Sequence, residues 1–232
     1  LENARELSRR TIEAAIRSND KESAGRRQTQ AALREAEFGN TAQARKDAAA
    51  ALALSSTESV QILAALACAR AGDMARAQQM ADALEKEHPV DTVVMGYWLP
   101  SIRAAIEIGR KNPAKAIDIL KTAAPFELGL PNPQVGAGGT MYPVWMRGQA
   151  YLLLQQGKEA AVEFQKFIDH RGIVINYPLG ALARLGLARA YKLQGDTAKA
   201  QAAYQEFLTL WKDADPDIPI LKEAKAEAAS LD

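Results

Sequence analysis

The sequence is poor in the residues that build metal centres and reactive sites. Its 232 residues include one cysteine, Cys68, and two histidines, His88 and His170. A single cysteine excludes an intrachain disulfide and a cysteine-based metal site, and the two histidines lack the close spacing of a metal-binding His-x-x-x-His pair. We expect Cys68 to be a buried, inert thiol and each histidine to lie where a helix ends.

Aromatic residues and uncompensated charge are also scarce. Phe, Trp and Tyr make up 6% of the chain, and 29 basic residues balance 28 acidic ones. A nearly neutral chain lacks the basic surface with which proteins bind nucleic acid, and no run reaches the roughly 18 apolar residues of a membrane-spanning helix. We therefore expect no nucleic-acid partner and no insertion of this chain into a membrane.

Catalytic motifs are missing as well. The sequence has no Gly-x-Ser-x-Gly motif. Its carboxylates alternate with basic residues at helical spacing, as around Arg34, Glu35 and Glu37, which predicts solvated helix faces rather than acid–base pairs. The glycine-rich run 136–139 lacks the strand and the Lys-Ser/Thr pair of a phosphate-binding loop, so we interpret it as a connector. We expect no enzymatic activity and no cofactor.

Alanine is abundant, and it is arranged in what look like helix pairs. The stretch LGLARAYKLQGDTAKAQAAYQEFLTL contains two apolar-faced segments joined at Gly195-Asp196. Ala188 and Ala200 stand where two helices must approach closely, and Tyr204 fills the space behind them. Alanine is the best helix former, so the chain is predicted to be all-α. The layout is that of the tetratricopeptide repeat (TPR), which has a period of about 34 residues.

Imperfect copies of this pair recur along the chain. Their anchor alanines, spaced by 33, 39, 44 and 40 residues, are Ala44, Ala77, Ala116, Ala160 and Ala200. We predict a single TPR solenoid over residues 1–232, a right-handed superhelix of about five repeats and roughly 12 helices. The predicted units are a helix of a truncated upstream repeat (1–20), the repeats 22–56, 58–89, 91–125, 140–170 and 178–212, and a capping helix (217–231). Because the chain begins with Leu1 rather than Met, we expect it to be a piece of a longer protein.

Turns and connectors separate these units. Turn glycines are predicted at Gly39, Gly72 and Gly195, whereas Gly157 is displaced by two residues and predicts an altered turn. Asn40 and Gln43 have the spacing of a capping box. The segments 126–140 and 169–178 have no helical periodicity and predict two connectors.

Several stretches resemble the C-terminal TPR region of bacterial Ser/Thr protein kinases and winged-helix transcriptional regulators. They include AALREAEFGN, DTVVMGYWLPSIRAAIE, YPVWMRGQAYL, EFQKFIDHRGIV and, following the repeat stretch above, WKDADPDIPIL. In such proteins the kinase or DNA-binding domain is N-terminal and is often followed by a membrane span. The resemblance implies a sensing or scaffolding module on the extracytoplasmic side of a membrane-anchored parent protein, or in the cytoplasm where no span is present.

The first helix of each pair lines the concave side of a TPR array, which predicts a partner-binding groove. Large aromatic residues and arginines are favoured anchors in recognition surfaces, and arginine binds carboxylates in a two-pronged manner. The predicted groove residues are Trp98, Arg103, Tyr142, Trp145, Gln149, Arg184 and Arg189. Arg147 is a further candidate carboxylate-binding residue.

An alternative interpretation makes these residues structural. The connectors 126–140 and 169–178 could fold into the concavity, so that Trp98, Tyr142 and Trp145 would be their packing floor and the arginines would cap helix ends. The sequence leaves both interpretations open.

Three functional hypotheses follow. The first is a protein-interaction or sensory module that binds a peptide or protein partner and regulates an effector domain. The second is a structural module that self-associates and makes a homodimer of the parent protein. The third is small-molecule sensing in a pocket beneath the 126–140 loop.

Overall fold

The computed structural model describes residues 1–129 and 141–231, and every regular element in these two ranges is helical. The α-helices are α1 (Glu2–Arg17), α2 (Lys21–Glu37), α3 (Thr41–Leu54), α4 (Glu58–Arg70), α5 (Met74–Glu87), α6 (Leu99–Gly109), α7 (Pro113–Leu120), α8 (Tyr142–Leu153), α9 (Gly157–Asp169), α10 (Arg171–Val174), α11 (Leu179–Leu193), α12 (Thr197–Leu210) and α13 (Pro219–Ala229). A π-helical turn (Val94–Trp98) leads into α6, and a 3₁₀ turn (Lys121–Ala123) follows α7. The prediction of an all-α chain is confirmed.

Three-residue turns of one geometry join six pairs of consecutive helices. The central residue of each turn has a positive φ: Asn19, Gly39, Gly72, Lys111, Gln155 and Gly195. The amide of the next residue reaches back to a carbonyl five residues earlier, as from Asp73 to Cys68 (2.9 Å) and from Asp196 to Tyr191 (3.1 Å). This is the hydrogen-bond pattern of an α-helix whose C-terminal residue is followed by one in the left-handed conformation. It satisfies carbonyls that the last helical turn leaves free.

The predicted turn at Gly157 was wrong. Gly157 is the first residue of α9, and Gln155 takes the left-handed position with φ 59°. The amide of Gln156 donates to the Tyr151 carbonyl at 2.9 Å, the same bond as in the other turns. The turn therefore has the same geometry as the others. Because Gln155 has a side chain, its positive φ costs conformational energy that a glycine would not cost.

Helix starts depend on the residue that ends each turn. The Asp20, Asp73 and Asp196 side chains accept hydrogen bonds from amides in the first turn of α2, α5 and α12. The capping box predicted at Asn40 and Gln43 was wrong, because Asn40 caps nothing with its side chain. Its Nδ2 instead donates to the Glu35 carboxylate at 2.9 Å. The Asn40 side chain therefore binds the buried Glu35 carboxylate instead of capping α3.

Small residues allow the helices to approach closely. All five anchor alanines, Ala44, Ala77, Ala116, Ala160 and Ala200, are fully buried. Gly148 on α8 and Gly186 on α11 lie on the Phe164 ring, where an added Cβ would come within 2.7 Å and 2.8 Å of ring atoms. Phe164 therefore fills a space that exists only because both neighbours lack a side chain.

Candidate functional site

The aromatic residues predicted to line a groove are buried. Trp98 and Tyr142 have no exposed surface and Trp145 is 4% exposed. The Tyr142 and Tyr177 hydroxyls are 3.0 Å apart, so the second connector packs on Tyr142. Contact with a connector, as in the packing-floor interpretation, is seen for Tyr142, whereas Trp145 packs on Phe164 and Phe167 of α9. Burial also raises the pKa of the Tyr142 phenol well above its usual value.

A polar cluster of Glu37, Arg70, Trp145 and Gln149, here named the central cluster, lies between α2, α4 and α8. Arg70 donates two hydrogen bonds to the Glu37 carboxylate (2.7 and 2.9 Å), and the Trp145 indole N–H donates a third (3.0 Å). Arg70 also contacts the Gln149 side chain at 3.4 Å. Trp145 and Gln149, which the sequence assigned to a partner, thus have polar contacts inside the chain, whereas the buried Trp98 indole Nε1 has no hydrogen-bond partner among the described residues.

The predicted arginines likewise have carboxylate partners of their own. Arg103 forms two hydrogen bonds with Glu85 (3.1 and 2.6 Å), and Arg189 forms two with Glu227 on α13 (both 2.9 Å). Arg184 lies 3.5 Å from Glu206 and donates to the Gly180 carbonyl. Arg147 donates to Glu127 and Glu163 at 2.7 Å each. Four side chains predicted to bind an external carboxylate thus hold intramolecular ones.

Contacts between distant parts of the chain fill the region where the sequence predicted a groove, here named the inner side. The Phe38 ring packs edge-on against Trp211 with centroids 4.9 Å apart, and the Ile220 amide donates to the Phe38 carbonyl at 3.2 Å. In an open repeat array each unit contacts only its neighbours, whereas here the end of α2 contacts α8, Trp211 and α13. The cavity that remains around Trp145, Gln149 and Arg189 measures about 110 Å³.

A larger cleft opens on another side, between the end of α2, the connector 170–178, the start of α11 and the segment 210–218. Its volume is about 700 Å³. Its walls include Phe38, Phe167, Val174, Trp211 and Ile218. Within the connector, Val174 is buried and Ile175 is exposed, so the connector packs inward only in part.

Three arginines border this cleft, Arg34, Arg171 and Arg184, and Arg34 also borders a second pocket on the α1 side, next to Ser8 and Glu35. Arg34 was predicted to belong to a solvated helix face with Glu35 and Glu37, and that prediction was wrong. Both carboxylates are buried, and Arg34 is partly buried, with its Nε atom inaccessible and without a hydrogen-bond partner. Burial lowers the pKa of Arg34 from its usual value. The Arg-Glu-Ala-Glu pattern looks the same on an exposed helix, so no local signal identifies this site.

The Gly-rich run 136–139 and most of the 126–140 connector lie outside the described residues. The described part, up to Gly129, ends close to a buried ion cluster in which Glu127 accepts from Arg147 and from Lys166 (3.0 Å). A pocket beneath this loop therefore stays a prediction.

No group of three His, Cys, Asp or Glu residues that could hold a metal occurs in residues 1–129 and 141–231. In the same ranges no helix has the length and hydrophobicity needed to cross a bilayer.

No protein-family model matches the chain, and comparisons with curated proteins and with solved structures found no match.

Proposed function

We propose that this chain is a non-catalytic, sensory recognition module of a larger signalling or regulatory protein. Its helix pairs are of the TPR kind, stacked in a right-handed superhelix with α13 as the cap. Six turns with one hydrogen-bond pattern and the buried anchor alanines support the repeat assignment. The turn geometry alone occurs in other helical proteins, so it is the combination that carries this part of the proposal.

The binding site in this proposal is the 700 Å³ cleft rather than the inner side. Ligand sites are concave, largely apolar and provided with a few convergent polar groups, and the cleft has this composition. A peptide or protein partner entering the inner side would have to displace the contacts of the central cluster and of Phe38 with Trp211. The cleft needs no such rearrangement, and this observation carries the proposal.

A fragment screen that compares two variants tests this function. Ala181→Phe places a ring in the cleft from α11, where Ala181 borders it, whereas Gln149→Leu alters the inner side. Circular dichroism first establishes that both variants fold. We expect fragments that raise the melting temperature of the parent chain to lose this effect in Ala181→Phe and to keep it in Gln149→Leu.

The opposite pattern, with the effect lost in Gln149→Leu and kept in Ala181→Phe, would place recognition on the inner side and contradict the proposal. If both variants kept the effect, the proposal would also be contradicted, because the fragments would then bind elsewhere.

Self-association is a second candidate function, favoured by α1. Leu7 and Ile16 are 60% and 47% exposed on this helix, on opposite flanks of the buried Ile12 and Ala15, and each exposed apolar side chain is available for contact with a second copy. If α1 mediates dimerisation, light scattering should give twice the mass of the single chain. The double variant with Leu7→Lys and Ile16→Lys should then have the mass of a single chain. A single-chain mass for the unmodified protein at high concentration would exclude this function.

A further inference from the structure

We propose that the cleft binds a small organic anion, namely a carboxylate group attached to an apolar aliphatic or aromatic body. This inference rests on the proposed function in one respect, that the cleft is the ligand site. It adds the chemical class of the ligand. Three features of the cleft support it: an uncompensated guanidinium, the charge balance of the rim and the nature of the walls.

Arg34 carries a partly buried charge with no carboxylate within 4 Å among the described residues. Its two terminal nitrogens both contact the Ser8 hydroxyl at 3.2 Å, and its Nε has no partner. The two carboxylates whose charges act on Arg34 hydrogen-bond to other side chains: Glu35 holds Arg5 (2.9 and 2.8 Å), and Asp47 accepts from Gln28 and Gln43.

A partly buried guanidinium with so few acceptors is costly to maintain. A bound anion would supply the missing negative charge, next to the terminal nitrogens rather than at the inaccessible Nε. Proteins stabilise such groups by pairing them, as this chain does with Arg70, Arg103 and Arg189 at Glu37, Glu85 and Glu227. Arg34 has no such partner among the described residues, and it borders the cleft.

The rim of the cleft has an excess of positive charge. Arg171 is exposed and has no ion-pair partner within the described ranges. The partner of Arg184, Glu206, is 3.5 Å away and well exposed, so water screens that pair. Asp213 is the acidic residue that borders the cleft, and it is exposed. An anion is therefore attracted to this entrance, and a cation is not.

The walls select an apolar body for the ligand. Phe38, Phe167, Val174 and Trp211 provide aromatic and aliphatic surface next to the arginines. A volume of about 700 Å³ lies within the range that accommodates small organic ligands. The partly buried Arg34 guanidinium matches the single charge and the two oxygens of a carboxylate, with which arginine forms paired hydrogen bonds.

Octanoate and octanamide are a matched pair of probes, because they have the same body and differ in charge. Trp211 borders the cleft, so its fluorescence reports binding, and Trp211→Phe identifies its part of the signal. We expect octanoate to bind about tenfold or more tightly than octanamide, since charge-assisted hydrogen bonds are the stronger ones.

Arg34→Met tests the residue that carries the proposal. Octanoate affinity should fall about tenfold or more in this variant, while octanamide affinity should not change. The variant should melt at the same temperature as the parent chain or higher, because an uncompensated charge has been replaced by an apolar side chain of similar length. If it does not fold, Arg171→Gln at the exposed rim must weaken octanoate binding instead. Arg17→Gln, on the exposed end of α1, is the matched control and should bind octanoate as the parent chain does.

Equal affinity for octanoate and octanamide would overturn the inference and leave the cleft as a ligand site. Normal octanoate binding by a folded Arg34→Met variant would overturn it in the same way. Absence of any Trp211 response to millimolar octanoate would also overturn it, and the fragment screen with Ala181→Phe would then decide separately whether the cleft binds ligands at all.

Discussion

Replacing Glu37 with alanine is expected to destabilise the protein more than almost any other single carboxylate substitution. The Glu37 side chain is 1% exposed and holds Arg70, whose own side chain is 14% exposed. Removing one partner of a buried ion pair costs about 3–5 kcal/mol. The Trp145 indole N–H also loses its acceptor, and an unsatisfied buried donor adds about 1–3 kcal/mol.

These contributions overlap, so we expect a total loss of about 4–6 kcal/mol, against a typical unfolding free energy of about 5–15 kcal/mol. Guanidinium chloride unfolding followed by circular dichroism measures it. Glu37→Gln keeps the shape and one acceptor oxygen and should lose less. Combining Glu37→Ala with Arg70→Met should cost less than the sum of the two single substitutions, because no unpaired charge remains.

Glu13→Ala is the control for this prediction. Glu13 pairs with Arg9 and Arg17 on the exposed face of α1, and exposed pairs contribute little, so its unfolding midpoint should not change measurably. If Glu37→Ala behaved like Glu13→Ala, the central cluster would not be a buried network and the account of a closed inner side would be refuted.

Three further predictions concern packing and pH. Trp145→Ala should cost about 3–5 kcal/mol in unfolding free energy, as for other buried aromatics, and a cost near zero would mean that the ring lines an open groove. Gly186→Ala should cost about 1–3 kcal/mol by overpacking against Phe164, while Gly172→Ala, where an added Cβ meets nothing within 4 Å, should be neutral. Burial raises the pKa of Cys68 from 9.0 to about 11, so this thiol should not react with a thiol reagent at pH 8 in the folded chain. Because the folded pKa is above the unfolded one, its stabilising contribution is complete below about pH 9 and is lost as the pH rises toward 11; an unfolding free energy that increased over this range would contradict the assignment.

Local patterns in the sequence were sufficient to predict the helix pairs. Alanine spacing placed Ala77 and Ala200 at close helix contacts, and the structure confirms their burial. Caps were predictable where an aspartate ends the turn, as at Asp73 and Asp196. These features depend on residues within one helical turn of each other, which a sequence displays directly.

The candidate site could not be predicted in the same way, because it depends on contacts between distant residues. Glu37 and Trp145 are 108 positions apart along the chain. No sequence pattern around either residue indicates that they are in contact. Without that contact, Trp145 is interpreted as an aromatic residue not needed for the core and Glu37 as a solvated carboxylate. Arg34 was misassigned for the same reason, because its surroundings include Ser8 on α1 and the connector at Tyr177.

The most direct test of the account is a nitrogen–proton correlation spectrum of the three tryptophan indoles, Trp98, Trp145 and Trp211, during titration with octanoate. Trp211 borders the cleft, whereas the other two indoles are buried elsewhere in the core. The account predicts that the Trp211 signal moves with saturation while those of Trp98 and Trp145 stay in place. Movement of the Trp145 signal with a stationary Trp211 signal would show that ligands enter the inner side and would contradict it.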